Sequence, residues 1–489
     1  MNPRKAQSVI VQDDTPTDNH LRPTQESNLT MASEKRICAA CVSDEYLKAE
    51  IAKSSTVDQE CDYCETVRPT IDMGSLADRC NTVIENFYED SSLFDAVIIY
   101  DRAPEGDVLA VVLDRIVGPQ QEVVADLVEL LTDMWFDFDS QEHRYGEEPW
   151  FVEKMKSSEP LSNEWNKMER SLMHKARYLN PDAARMFETM FGTVHDDRTC
   201  EGKLVVVELG PKCEIDTLYR ARVFQTLKAM ETALSHPERH IGPPPSGVGA
   251  AGRMNAKGVS VFYGATKKDI AVSEVRPPVG CHVVVGAFKL IRTLRLLDLQ
   301  QLGSITVKPT SSPFDPATAN EASRCAFMET LTQKMVMPVM PELEEQDYLI
   351  TQAIADFLST HPKLELDGII FPSAQNTTTH KDTSGHNVIL FNKASMVLNA
   401  EEHLGGDTRA YLWEYDEDSP NSRFKPEILT MVPSQREGAR NTSVWLDPDP
   451  IKPALELDLN SIEIYEIEGV VYRKFGHQVK RHIVSPERT

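Results

Sequence analysis

Two short cysteine motifs constrain this chain more than any other feature. Cys38 and Cys41 enclose two residues, as do Cys61 and Cys64. A structural zinc ion takes four soft ligands in a tetrahedron, and two such C-x-x-C turns supply them. The interval between the pairs leaves room for an inserted helix. The spacing therefore predicts a double knuckle holding Zn2+ near the N-terminus. With cysteine in all four places the site is closed and structural, with no position open for catalysis. Cys80, Cys200, Cys213, Cys281 and Cys325 stand alone and read as core residues. An odd total of nine does not suggest a disulfide framework.

A length of 489 residues exceeds what one core usually organises, so roughly two to three domains are expected. Apolar residues make up 41% of the chain, enough for real cores. The formal charge of −25 argues against a general nucleic-acid or anionic-membrane surface, because such partners reward clustered Lys and Arg. It leaves room for a local basic pocket. Apolar runs such as "VLAVVL" (108–113) and "HVVVGAF" (282–288) are too short to span a membrane. The opening segment is polar and has no apolar signal-peptide core, so a cytoplasmic location is expected.

The periodicity changes once along the chain. Residues 1–34 are polar and aperiodic, which predicts a disordered tail. Residues 35–200 read as a zinc-knuckle and helical domain. Ser43 is placed to cap its first helix, and Leu76, Cys80, Val83, Ile84 and Phe87 recur at helical spacing in another. Asn180 followed by Pro181 reads as a cap and first helical position. Arg170 and His174 share one helix face, a pairing that can serve a metal-independent ribonuclease but reads better as a solvated charged face. From 205 to 398, short apolar strands such as "TLYRARVF", "VSVFYGA" and "DGIIFPS" alternate with helical segments, an α+β pattern. In the remainder, 399–489, Leu455, Leu457 and Leu459 alternate with polar residues. This predicts a β-rich extension ending in a strand pair that turns at Glu468–Gly469.

Gly247, Gly249 and Gly252 satisfy the dinucleotide pattern G-x-G-x-x-G. That pattern works only between a strand and a helix whose N-terminus faces the pyrophosphate. Here "HIGPPPSG" precedes it, and three prolines exclude a central strand. A turn and then a strand follow, so the pattern carries no weight. The same segment still presents Arg253 and Asn255 on a turn, then Tyr263 on a strand. Glu274 follows on a short helix that Thr266 is placed to cap.

In that order the residues resemble the RES domain. The resemblance rests on "LYRAR" (218–222), "GRMNAKGVSVFYGATKKDIAVSEVR" (252–276), "DGIIFPSA" (367–374) and "GHNVILFN" (385–392), and it covers roughly residues 214–398. The N-terminal "ICAACVSDEYLKAEI…CDYC" with its helices is similar to the HEPN-like zinc-knuckle module found ahead of RES domains.

The resemblance implies an ADP-ribosyltransferase-like fold and an enzyme that degrades NAD+ by phosphorolysis or hydrolysis of the nicotinamide–ribose bond. It also implies a bacterial toxin restrained by an antitoxin or similar regulatory protein, a possible homo-oligomer, and inorganic phosphate as a possible co-substrate. Carried over by motif, the catalytic positions are Arg220, Arg253, Tyr263, Glu274 and Ser373. Arg222 competes with Arg220 for the first arginine, and Asn255 and Asn387 are further ligand-binding positions. Met254 stands where many members have an aromatic residue. The chemistry suits these residue types, since a carboxylate stabilises an oxocarbenium-like ribose and guanidiniums grip phosphates. Two rivals remain at this point: transfer of ADP-ribose to a macromolecule, and a non-catalytic protein that binds nucleotide or senses a partner.

Overall fold

The computed structural model describes residues 34–54, 58–99, 102–137, 139–145, 148–154, 158–308, 311–337, 344–373, 385–398, 407–414, 423–431, 452–471 and 475–480. The expected N-terminal tail and most of the polar stretch around 415–442 lie outside them. The chain forms two compact units, residues 1–156 with 309–321 and residues 157–308 with 322–489.

In the first unit, strand Val67–Asp72 pairs antiparallel with Arg36–Cys38 on one side and Asp58–Glu60 on the other. Helix Glu45–Ser54 is the insert between the two cysteine turns. Its cap is Asp44, whose Oδ1 accepts from the Leu47 N–H at 2.9 Å. Ser43, the residue expected in that role, is drawn elsewhere: its N–H donates to the Val117 carbonyl at 2.6 Å. Helix Met73–Phe87 buries Leu76, Cys80, Val83 and Ile84 as the periodicity requires. Helix Leu109–Val117, visible in the sequence only as an apolar run, contributes Val112, Leu113 and Ile116 to the same core, with Leu127 and Leu131 of Gln121–Met134.

The second unit is α+β and centres on an eight-stranded sheet. In spatial order its strands are Leu455–Glu466, His282–Leu290, Thr217–Phe224, Phe262–Ala265, His386–Leu390, Gly368–Pro372, Leu294–Asp298 and Val206–Leu209. Neighbours are antiparallel except Gly368–Pro372 with Leu294–Asp298. Strand alternation splits the core. Leu218 joins Phe262, Phe288 and Met230, whereas Tyr219, Ala221 and Val223 join Ile270 and Ala271 of helix Lys268–Glu274.

Helices Glu159–His174 and Pro181–Phe191, grouped by sequence with the N-terminal module, pack in this unit instead. Their apolar stripes, including Trp165, Leu172, Phe187 and Phe191, share a core with Phe327, Ile354, Ile369 and Ile389. Periodicity reveals which face of a helix is buried but not which surface buries it. Asn180 does cap the second of these, accepting from the Asp182 and Ala183 N–H groups at 3.1 and 3.2 Å ahead of Pro181.

The C-terminal segment also differs from expectation. Leu455–Glu466 is one continuous edge strand along His282–Leu290, and Glu468–Gly469 lie beyond its end rather than in a hairpin turn. Its alternating leucines find their partner in an existing long strand, so no second C-terminal strand is needed. The register slips between Val285 and Ala287, where the Ala287 N–H donates to Ser461 Oγ at 2.8 Å. No helix among the described residues is long and apolar enough to cross a membrane.

Candidate active site and metal centre

The cysteine turns close as their spacing predicts. A 3-10 turn, Ala39–Cys41, carries the first pair. The second bends through Glu65, whose φ of +50° lets its N–H return to the Cys61 carbonyl at 2.8 Å. Sulfur separations are 3.8 Å for Cys38–Cys41, 3.6 Å for Cys38–Cys64 and 3.8 Å for Cys41–Cys61. All four lie within 4.8 Å of one another. A tetrahedron with metal–sulfur bonds of about 2.3 Å has edges of about 3.8 Å, so the set fits a metal ion. Burial pushes the Cys38 and Cys41 thiols up, which a bound cation would reverse by taking the thiolate forms. Cys80, Cys281 and Cys325 are buried as expected of core residues, whereas Cys200 is exposed. Arg170 and His174 are both exposed on their helix.

In the second unit the sheet forks. Strand Thr217–Phe224 pairs with His282–Leu290 along its whole length, but with Phe262–Ala265 only at Tyr219↔Ala265. A cavity of about 410 Å³ opens between the diverging strands, within the size range of small-molecule sites. Arg220 bridges the fork. Its Nη1 donates to the Tyr263 carbonyl at 2.6 Å and its Nε to the Ile241 carbonyl at 2.9 Å, with the guanidinium over the Phe262 ring. The residue is half-buried and lines the cavity. Burial, and then the nearby charge of Arg222, push its pKa down to about 9, which leaves it a cation at neutral pH.

The Gly-rich turn forms the next wall. Gly247 and Gly258 adopt φ of +91° and +93° and exchange a 2.8 Å hydrogen bond, Gly247 N–H to the Gly258 carbonyl. The glycine pattern thus sits in turns, with neither a strand before it nor a helix after it. Gly252 is required for another reason: a Cβ there would lie 2.6 Å from Tyr263 Oη and 2.7 Å from Asn255 Oδ1. Tyr263 donates its hydroxyl to Asn255 Oδ1 at 2.8 Å and accepts the Met254 N–H at 3.1 Å. Burial pushes its pKa up to about 12, so the phenol stays neutral. Asn255 spends its Nδ2 on the carbonyls of Ala250, Ala256 and Val259 and does not line the cavity. It braces the turn. Arg253 does line the cavity, with Nη1 donating to the Met335 carbonyl at 2.8 Å and its cation over the Tyr348 ring.

Helix Lys268–Glu274 delivers the carboxylate. Thr266 does not cap it. Instead its Oγ1 accepts the His386 N–H at 2.9 Å and ties the helix start to the neighbouring strand. Glu274 Oε1 accepts from Asn387 Nδ2 at 2.7 Å and from Ser373 Oγ at 3.3 Å. Asn387 lines the cavity, whereas Ser373 is buried behind it. Arg222 also lies outside the lining; its Nε is buried without a hydrogen-bond partner among the described residues, and burial lowers its pKa. Of the eight residues singled out for this site, Arg220, Arg253, Tyr263, Glu274 and Asn387 therefore line one cavity, and Ser373 supports it.

The sequence left several lining residues unmarked: Tyr219, Phe371, Arg276 and Tyr348. Arg276 was findable, two positions after Glu274, and it holds a left-handed φ of +44°. Tyr348 comes from helix Glu344–Thr360 and carried no local signal. Among the described residues, the charged lining amounts to three guanidiniums, Arg220, Arg253 and Arg276, against the carboxylate of Glu274. In a chain of net charge −25 these described residues give the cavity a local excess of positive charge.

Compared with known families, residues 217–414 match the family model of the RES domain. The match extends past the cavity through strand Asp407–Glu414. No curated protein and no solved structure matches the chain.

Proposed function

We propose that the RES domain of this chain cleaves the bond between nicotinamide and ribose in NAD+, with water or inorganic phosphate taking the ADP-ribosyl group. The RES domain points to an NAD+-related, ADP-ribosyltransferase-like toxin family. The observation that carries the finer reading is the cavity's charge: three arginines and one hydrogen-bonded carboxylate in a strongly acidic chain. NAD+ matches that pattern, with an anionic diphosphate for the guanidiniums and a cationic nicotinamide ring beside the carboxylate.

The bond order of events follows from the leaving group. The C1′–N bond breaks with both electrons going to the ring nitrogen, so nicotinamide departs neutral and needs no general acid. Positive charge builds on the ribose C1′ and ring oxygen, where Glu274 stabilises it. One carboxylate therefore suffices where a glycoside hydrolase uses two. Arg220 and Arg253 hold phosphate oxygens, and the rings of Tyr263 and Tyr348 pack along the ligand. Attack by phosphate oxygen or water on C1′ completes the exchange; water gives up a proton to solvent, and phosphate needs no base.

In the first unit, we assign the four-cysteine centre to zinc with a purely structural role, because all four ligands are thiolates and no coordination place is left open. The test of the catalytic reading is incubation with NAD+ with and without inorganic phosphate, with products identified by mass. Nicotinamide together with ADP-ribose or its 1″-phosphate is expected. Intact NAD+ after prolonged incubation in both conditions would refute it, and labelled ADP-ribose on added protein or nucleic acid would replace it with transfer to a macromolecule.

A further inference from the structure

We propose that Asn387 is a positioning residue that fixes which oxygen of Glu274 meets the substrate; the inference rests on the role given to Glu274 above. Asn387 is held on both sides by strand pairing, with Ala265 and with Phe371. The residue is 6% exposed, and Nδ2 donates to Glu274 Oε1 at 2.7 Å. Ser373 Oγ donates to the same oxygen at 3.3 Å. No donor among the described residues reaches Oε2. The carboxylate is thus asymmetric, with Oε1 anchored and Oε2 left for the ligand.

The other end of the amide supports this reading. Asn387 Oδ1 is buried and has no hydrogen-bond partner among the described residues. Buried acceptors are rarely left so, and an orphan calls for a specific reason. Turning the amide over would set that oxygen against Glu274 Oε1, two acceptors at contact distance. The carboxylate therefore fixes the amide, the amide's donor fixes the carboxylate, and the orphaned oxygen is the cost of that lock. A residue chosen only for stability would not leave it. Among the described residues, the charged and titratable groups that share the cavity with Glu274 are Arg220, Arg253, Arg276, Tyr219, Tyr263 and Tyr348. None of them donates to Oε1.

The test is a set of variants in a nicotinamide-release assay. N387A should lower kcat about 10- to 100-fold with little change in KM, because the diphosphate grip is untouched while the carboxylate loses its register. Its denaturant midpoint should stay near wild type, since the orphaned acceptor goes with the lost hydrogen bond. N387D keeps the shape but sets a second carboxylate beside Glu274, so the rising limb of its kcat/KM–pH profile should move to higher pH. N387S adds no charge and serves if the aspartate variant does not fold; it should lose kcat as N387A does. Wild-type kcat in N387A or N387S, or an unmoved limb in a folded N387D, overturns the proposal while E274Q keeps its large loss of kcat. Equal nicotinamide release by wild type and E274Q would instead remove the reading of Glu274 on which it rests.

Discussion

The cysteine centre and the cavity are both small polar constellations, yet they are built in opposite ways. The four cysteines lie between positions 38 and 64, on two turns separated by one helix. The cavity draws on strand Thr217–Phe224, the turn at Gly252–Asn255, helix Lys268–Glu274, helix Glu344–Thr360 and strand His386–Leu390. Spacing in the sequence specifies each half of the first, because turn geometry closes each pair, and short strands pairing on Val67–Asp72 bring the two pairs together. The second exists only once an eight-stranded sheet has formed and forked. Its residues must meet across more than a hundred positions, as the Glu274–Asn387 bond does.

The contrast predicts different failures. Removing the metal should have the largest effect and stay a folding effect. Structural zinc contributes on the order of 10–16 kcal/mol in zinc-finger peptides. Stripping it with a chelator, or replacing Cys41 by Ser, should release zinc to an indicator dye and abolish much of the first unit's circular dichroism. Full retention of structure without metal would break the comparison at its first term. Damage to the cavity should instead appear as lost rate in a folded protein. Glu274→Gln should lower kcat by about 10²–10³-fold, the usual scale for losing one group that stabilises transition-state charge, with an unchanged denaturant midpoint.

Arg253 and Arg222 sharpen the point within the second unit. Arg253→Gln removes a cavity-lining cation and should raise KM for NAD+ roughly 10-fold or more, the worth of a charge-assisted hydrogen bond. Arg222→Gln, outside the lining, should raise it far less; the reverse order in a steady-state assay would move the ligand toward Arg222. Tyr263→Phe tests the scaffold. It leaves Asn255 Oδ1 without its donor and should cost about 1–3 kcal/mol in a urea titration. The raised pKa of Tyr263 adds an effect confined to alkaline pH. With a folded value of about 12 against about 10 unfolded, it stabilises fully below pH 10, and that share is lost as pH rises toward 12. Tyr263→Phe should abolish that component of the alkaline stability curve.

Much of both sites was legible before the fold, for different physical reasons. C-x-x-C spacing encodes a four-cysteine cluster that can hold a metal, because the residues and the turn geometry are local. The order Arg220, Arg253, Tyr263, Glu274, Ser373, Asn387 was readable only through its resemblance to the RES domain, since each residue alone is ordinary. The roles were less legible than the resemblance. Asn255 braces the turn and Ser373 holds Glu274 from behind, because buried polar side chains must first satisfy one another. Tyr348 was invisible because helical periodicity in "QDYLITQAIADFLSTH" assigns a buried face, not a neighbour. Helices Glu159–His174 and Pro181–Phe191 were misgrouped for the same reason. The Leu455–Glu466 strand was found, but its partner His282–Leu290 lies far upstream, where pattern alone does not reach.

NAD+ binding in this cavity and the action of Glu274 on the transition state are tested most directly by single-turnover release of nicotinamide from NAD+ by wild type and Glu274→Gln, each at saturating enzyme. Release by the wild type is expected, with a rate lower by about two to three orders of magnitude in a variant that still binds NAD+. Equal rates in the two proteins would contradict that expectation.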